Sequence, residues 1–145
     1  MAGIFLDLET NAVLGAGDTI RAVTETTTGA SVDFVDVVGN VGTALLRVAT
    51  VSGSGSPAPS MAAKIQESTD GTTWTDITGA TFTTVTTTTN NQACSFRTLK
   101  RYLRGYYTVA GQTSPSFTSC LTFLGQRRTT PASNGGWTNE SGASV

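Results

Sequence analysis

Met61-Ala62-Ala63-Lys64-Ile65-Gln66-Glu67 and Phe117-Thr118-Ser119-Cys120-Leu121-Thr122-Phe123-Leu124 carry the clearest structural pattern in the chain. In the first, Met61, Ala63 and Ile65 face one way while Ala62, Lys64 and Gln66 face the other. That period of two separates a packed side from a wet one, as in a half-buried strand. In the second, both alternating sets hold apolar groups, which predicts a strand buried on both faces and central in its sheet.

The same alternation predicts further strands over 4–8, 19–25, 31–38, 44–51, 81–88, 93–97 and 102–109. The predicted breaks are Gly15-Ala16-Gly17-Asp18, Thr28-Gly29, Gly39-Asn40, Ser52 to Pro59, Asp70-Gly71, Asn90-Asn91 and Gly111 to Pro115. Gly and Asn supply positive φ, and Pro cannot donate to a sheet ladder. Roughly a fifth of the chain is threonine, whose β-branch favours a pleated backbone. No helical spacing and no internal repeat is visible. The expectation is an all-β protein: one antiparallel β-sandwich over residues 1–128, jelly-roll-like in topology, followed by an extended C-terminal tail over 129–145. The tail has the composition of a segment that is disordered alone in water, with Trp137 as the anchor should a partner hold it.

Charged residues make up 13% of the 145-residue chain, about half the usual share, so Thr, Ser, Gly and Asn must form much of the surface, which suits contact with other proteins. There is no histidine, which removes the commonest general base and the commonest metal ligand. The chain is therefore expected not to be an enzyme and to use no cofactor or metal. No apolar run reaches the roughly 18 residues of a membrane span, and the first residues lack a signal-peptide pattern, so synthesis in the cytoplasm is expected. In that compartment Cys94 and Cys120 should be buried thiols rather than a disulfide.

Charge is segregated along the chain. Nine acids and three bases precede Ile77, whereas residues 77–139 contain no acid and six bases, Arg97, Lys100, Arg101, Arg104, Arg127 and Arg128. Either the two halves form opposite faces of a bipolar molecule, or they interleave and neutralise each other. The stretch Arg97 to Val109 alternates bases with tyrosines, and a net charge of −1 speaks against nucleic acid as its ligand. Leu103, Gly105, Tyr107 and Val109 are expected inward. Arg101, Tyr102, Arg104 and Tyr106, with Arg127, Arg128 and Trp137, are the candidate partner-binding residues, a Tyr/Arg surface of the kind that builds interfaces.

The run Gln66 to Ile77 reads as two strands joined through Asp70-Gly71 in a tight hairpin, with Trp74 folded over its apolar side. It resembles the Asp-box of sialidase propellers, in a single copy that lacks one residue between Asp and Gly, which carries no enzymatic implication. A wider resemblance covers roughly residues 60 to 128. Lys64-Ile65-Gln66-Glu67-Ser68, Asp70-Gly71, Trp74, Asp76-Ile77, Phe82, Arg101-Tyr102-Leu103-Arg104, Thr113 to Thr118 and Gly125-Gln126, in that order, look like small structural proteins of tailed bacteriophages. These include capsid decoration, or cement, proteins. The resemblance implies a virion protein on the capsid exterior that binds the major capsid protein and copies of itself, as a dimer or trimer at a symmetry axis, with no nucleic acid and no membrane. The rival class is a host-recognition or carbohydrate-binding module in a tail or spike, which would need an exposed aromatic platform.

Overall fold

The computed structural model describes residues 12–16, 21–33, 41–86, 90–111 and 113–126. These form ten strands and, among the described residues, no helix: β1 Ala12–Ala16, β2 Arg21–Val23, β3 Thr27–Thr28, β4 Val32–Asp33, β5 Val41–Ser54, β6 Ser60–Ser68, β7 Thr75–Thr81, β8 Asn90–Arg97, β9 Tyr102–Ala110 and β10 Thr113–Gln126. Two antiparallel sheets pack face to face. Sheet A runs β1-β10-β5-β8, with β2 beside β1 on the same edge of β10. Sheet B runs β3-β9-β6-β7, with β4 beside β3 on the same edge of β9.

The two clearest strands land where their alternation puts them. Met61, Ala63 and Ile65 are buried in β6, and Phe117, Leu121 and Phe123 are buried in β10. β10 is central, flanked by β1 and β2 on one side and β5 on the other. Its outer face is half-buried rather than fully covered, because among the described residues no further layer lies outside sheet A. Leu46 and Val48 of β5, Phe96 of β8, and Leu103 and Tyr107 of β9 complete the core between the sheets. The Phe96 ring meets Phe123 edge-on, centroids 5.9 Å apart at 84°. Burial of each such side chain contributes about 1.5–3 kcal/mol.

Gly105 is a glycine that the packing of the core demands. It lies on the inner face of β9 opposite Ile65, and a Cβ there would stand 2.6 Å from Leu121 Cδ2 and 3.1 Å from the Tyr107 hydroxyl. The missing side chain is the space that Leu121 and Tyr107 fill.

Several expected boundaries differ. The strand expected over 81–88 is displaced: β7 runs over Thr75–Thr81, and beyond it, among the described residues up to 86, only Val85 makes a bridge, to Met61. Phe82 and Val85 are both buried, and residues three apart cannot share a face of a regular strand. Threonine propensity alone suggests one there. The β6–β7 ladder is also irregular, since Gln66 faces Asp76 but Lys64 faces Thr81, leaving residues 77–80 opposite Ile65 alone, with Gly79 among them at φ +79°. Gly15 and Ala16, expected in a turn, belong to β1 opposite Phe123 and Thr122, and Asn90-Asn91 opens β8 opposite Val48 and Arg47. In both cases pairing to a long neighbour overrides weak local propensity. The strand expected over 4–8, most of that over 31–38 and the tail over 129–145 lie outside the described residues.

Neither cysteine is in a disulfide, and both are half-buried rather than fully buried. Cys94 on β8 packs against the core, whereas Cys120 on β10 faces outward, with β5 between their strands. Side chains on opposite faces of one sheet and two strands apart cannot meet disulfide geometry. Alkylation without reductant should therefore modify both thiols in the folded or gently unfolded protein. A two-proton mass deficit with neither modified would contradict this placement. Burial pushes the Cys94 thiol above its ordinary value, so Cys120 should react first.

Candidate functional site

The outer face of sheet B is set by cross-strand register. Residues directly opposite share a face, so Lys64 stands beside Tyr106, Gln66 beside Arg104 and Ser68 beside Tyr102, with Asp76 of β7 beyond Gln66. Of the seven expected partner-binding residues, Tyr102, Arg104 and Tyr106 are brought together here, half-buried on one face, with Leu103, Gly105 and Tyr107 buried on the other. Arg101 sits at the edge. Arg127, Arg128 and Trp137 lie outside the described residues.

What the sequence reading missed is that these cations have partners within the fold. Arg104 Nε donates to Gln66 Oε1 at 2.9 Å, and its guanidinium lies 4.3 Å from the centre of the Trp74 ring. Gln66 Nε2 donates to Asp76 Oδ1 at 2.8 Å, and Lys64 Nζ reaches Asp76 Oδ2 at 2.6 Å while standing 5.0 Å over the Tyr106 ring. One chain of contacts thus runs Tyr106, Lys64, Asp76, Gln66, Arg104, Trp74. At the edge, Arg101 makes two hydrogen bonds to Asp33 Oδ2, at 2.9 and 2.6 Å, and lies 5.2 Å over the Tyr102 ring. Lys100 pairs with Glu67 at 3.7 Å. Of the two charge readings, interleaving is what these pairs show: bases from the second half meet acids from the first. The Asp76 carboxyl is held below the usual range, first by the Lys64 bond and then by Gln66. Burial lowers the Arg104 guanidinium somewhat, though it stays charged in any ordinary buffer.

Charge segregates by sheet instead of by half. The five strands of sheet A contain Arg21, Arg47 and Arg97 and no Asp or Glu. Its outer face carries Thr43, Leu45 and Arg47 of β5, with Ala93 and Thr122 opposite Leu45. Counting charges strand by strand would have found this; counting along the chain hid it.

The β6–β7 connection is a six-residue loop, not a two-residue turn. Asp70 Oδ1 accepts from the Thr72 and Thr73 amides and the Ser68 hydroxyl, each at 2.8 Å, and Gly71 takes φ +74°. These donors, Thr73 and Thr72 first, hold the Asp70 carboxyl far below its usual range. A group whose folded pKa is depressed stabilises the fold above its unfolded value, near 4, and the contribution fades as pH falls towards the folded value. Asp70→Asn, which keeps one acceptor oxygen, should flatten the fall of the unfolding midpoint below about pH 4. An unchanged acid limb would show that the charge adds nothing.

Trp74 does not cover an apolar side of this hairpin. It lies half-buried against Arg104 on the polar outer face. The expected cost of Trp74→Ala is accordingly about 1–2 kcal/mol, the scale of a partly desolvated cation–π contact, well short of a core tryptophan. Denaturant midpoints with unchanged m-values would measure it.

No protein-family model matches the chain, and no curated protein matches it. Its two antiparallel sheets make it a β-sandwich.

Proposed function

We propose that this protein is a non-enzymatic virion component that decorates a tailed-phage capsid, binding the major capsid protein through the outer face of sheet B. The carrying observation is the contact network itself: six of the residues behind the phage resemblance, Lys64, Gln66, Asp76, Trp74, Tyr102 and Arg104, meet on that one face, while others, such as Ile65, Phe82, Leu103 and Phe117, lie in the core. Tyrosine, tryptophan and arginine dominate binding energy in interfaces. Here they are held in place before any partner arrives, so less ordering cost remains for binding. Lys64 is paired with Asp76, and Arg104 is held by the Gln66 amide and the Trp74 ring, which lowers the penalty of burying these cations. The rival carbohydrate reading needs open ring faces, whereas Trp74, Tyr102 and Tyr106 each carry a cation over one face.

We also infer a jelly roll. β1 and β2 pair with β10, β3 and β4 with β9, β5 with β8, and β6 with β7, the nested pairing of a long hairpin wound into two sheets. Arg127, Arg128 and Trp137 remain in the proposal as a second attachment on a neighbouring subunit, as does assembly of the chain with its own copies on the shell.

Shells assembled from the capsid protein of the parent particle, mixed with purified protein, test the reading. Saturation at a fixed ratio to shell subunits, in hundreds of copies per shell, is expected. No binding to shells, or a handful of copies confined to a tail, would overturn it.

A further inference from the structure

Resting on the capsid reading, we propose that the outward end of the Arg104 guanidinium receives one carboxylate of the capsid protein, an aspartate or glutamate side chain that supplies the counterion this fold does not. Among the described residues, four bases stand on sheet B or in the loop that leads into β9, and three of them have a carboxylate. Lys64 meets Asp76 at 2.6 Å, Lys100 meets Glu67 at 3.7 Å and Arg101 meets Asp33 at 2.6 Å. Among the described residues Arg104 meets none. The acid in the β6–β7 loop, Asp70, is already taken up by the Ser68 hydroxyl and the Thr72 and Thr73 amides.

An arginine that extends into water needs no counterion. Arg104 does not extend: it is half-buried, and burial disfavours its charged form. Its Nε–H goes to Gln66 Oε1 at 2.9 Å, and the guanidinium lies 4.3 Å from the centre of the Trp74 ring. Gln66 is only 9% exposed, and its amide is locked in turn by donation to Asp76 Oδ1 at 2.8 Å. A buried carboxamide and an aromatic ring thus hold the guanidinium in one pose. What remains for a partner are the Nη–H donors, a planar fork that matches a carboxylate. With Nε–H occupied, a carboxylate must approach end-on, across the two Nη atoms. The side chain is ordered and partly desolvated before binding, so the incoming group gains two charge-assisted hydrogen bonds with little further loss of freedom. A single carboxylate fits better than a polyanion. Asp33 and Asp76 share the face through their register with Tyr102 and Gln66, so a nucleic-acid backbone would set several phosphates against them for one unmatched cation.

Retention on capsid shells, compared among wild type, Arg104→Gln, Arg104→Lys and Arg101→Gln, tests this. Arg104→Gln should weaken retention on the order of tenfold. Arg104→Lys should fall nearly as far, because an ammonium keeps the charge but loses the fork, the Gln66 bond and the stacking. Arg101→Gln removes a guanidinium that already has Asp33, and should change retention far less. On shells saturated with Arg104→Lys, a water-soluble carbodiimide should join the introduced amine to one aspartate or glutamate of the capsid protein, which mass spectrometry identifies. Converting that capsid acid to arginine should weaken wild type and strengthen Arg104→Glu. Arg104 variants that hold to shells as wild type does, an equal loss in Arg101→Gln, or no crosslink to a capsid acid would overturn the assignment and leave the capsid reading standing. A wild type that ignores shells would overturn both.

Discussion

Replacing Gly105 with alanine should cost the fold about 1–3 kcal/mol, and with valine more, although neither change removes a contact. The added Cβ would sit 2.6 Å from Leu121 Cδ2 in the middle of the core. Leu121 cannot swing aside, since it is fully buried among Phe117, Phe123 and Tyr107. For a domain near this size, each kcal/mol moves the midpoint by roughly 3–4 °C, so a fall on the order of 5–10 °C is expected for Gly105→Ala. A compensating variant separates overpacking from lost glycine freedom. Leu121→Ala makes the space that the new methyl group needs, so the double variant should be more stable than the two single costs summed. Strict additivity would mean that the two sites do not compete for volume.

The second large effect belongs to the proposed contact face. Arg104→Glu should weaken retention on capsid shells roughly thirtyfold or more, the scale of a hot-spot loss of about 2 kcal/mol. The substitution removes the guanidinium from Trp74 and from Gln66 and sets a second carboxylate near Asp76. Because Lys64 is paired with Asp76 and Arg104 is held by Gln66 and Trp74, wild-type binding should depend only weakly on salt, unlike docking driven by freely extended arginines. Arg47→Glu, on the opposite sheet, is the matched control and should leave shell binding unchanged. Equal retention of Arg104→Glu and wild type would remove the outer face of sheet B from the proposal, whatever the particle location.

The core strands are legible in the sequence because in β6, β9 and β10 the large apolar side chains that fill the core recur at every second residue, and a slip of one residue would expose them. Gly105 can be placed inward by the same count, but its reason cannot, since Leu121 is sixteen residues away in sequence and meets it only across the sandwich. β1 is not legible. Ala12-Val13-Leu14-Gly15-Ala16 ends in two small residues that suggest a turn, and only the edge of β10 makes it a strand. The stripe on β9 is legible as a face and only partly as chemistry. Gln66 and Asp76 are ten residues apart, and nothing but the displaced register between β6 and β7 puts both within reach of Arg104 and Lys64.

The nested pairing of strands has a kinetic consequence. Of the ten strands, only β6 and β7 meet a partner that follows closely in sequence; β1 waits for β10, at the far end of the described chain. Relative contact order is therefore high, and the expected folding time falls among milliseconds to seconds rather than microseconds. On the ribosome, β1, β2 and β5 would emerge long before the strand that joins them, leaving Leu45, Leu46 and Val48 exposed in an unpaired segment. The chain is then most vulnerable to aggregation in the interval between synthesis of β5 and release of β10. A low charge and a wealth of threonine, which serve the finished surface, offer that intermediate little electrostatic protection.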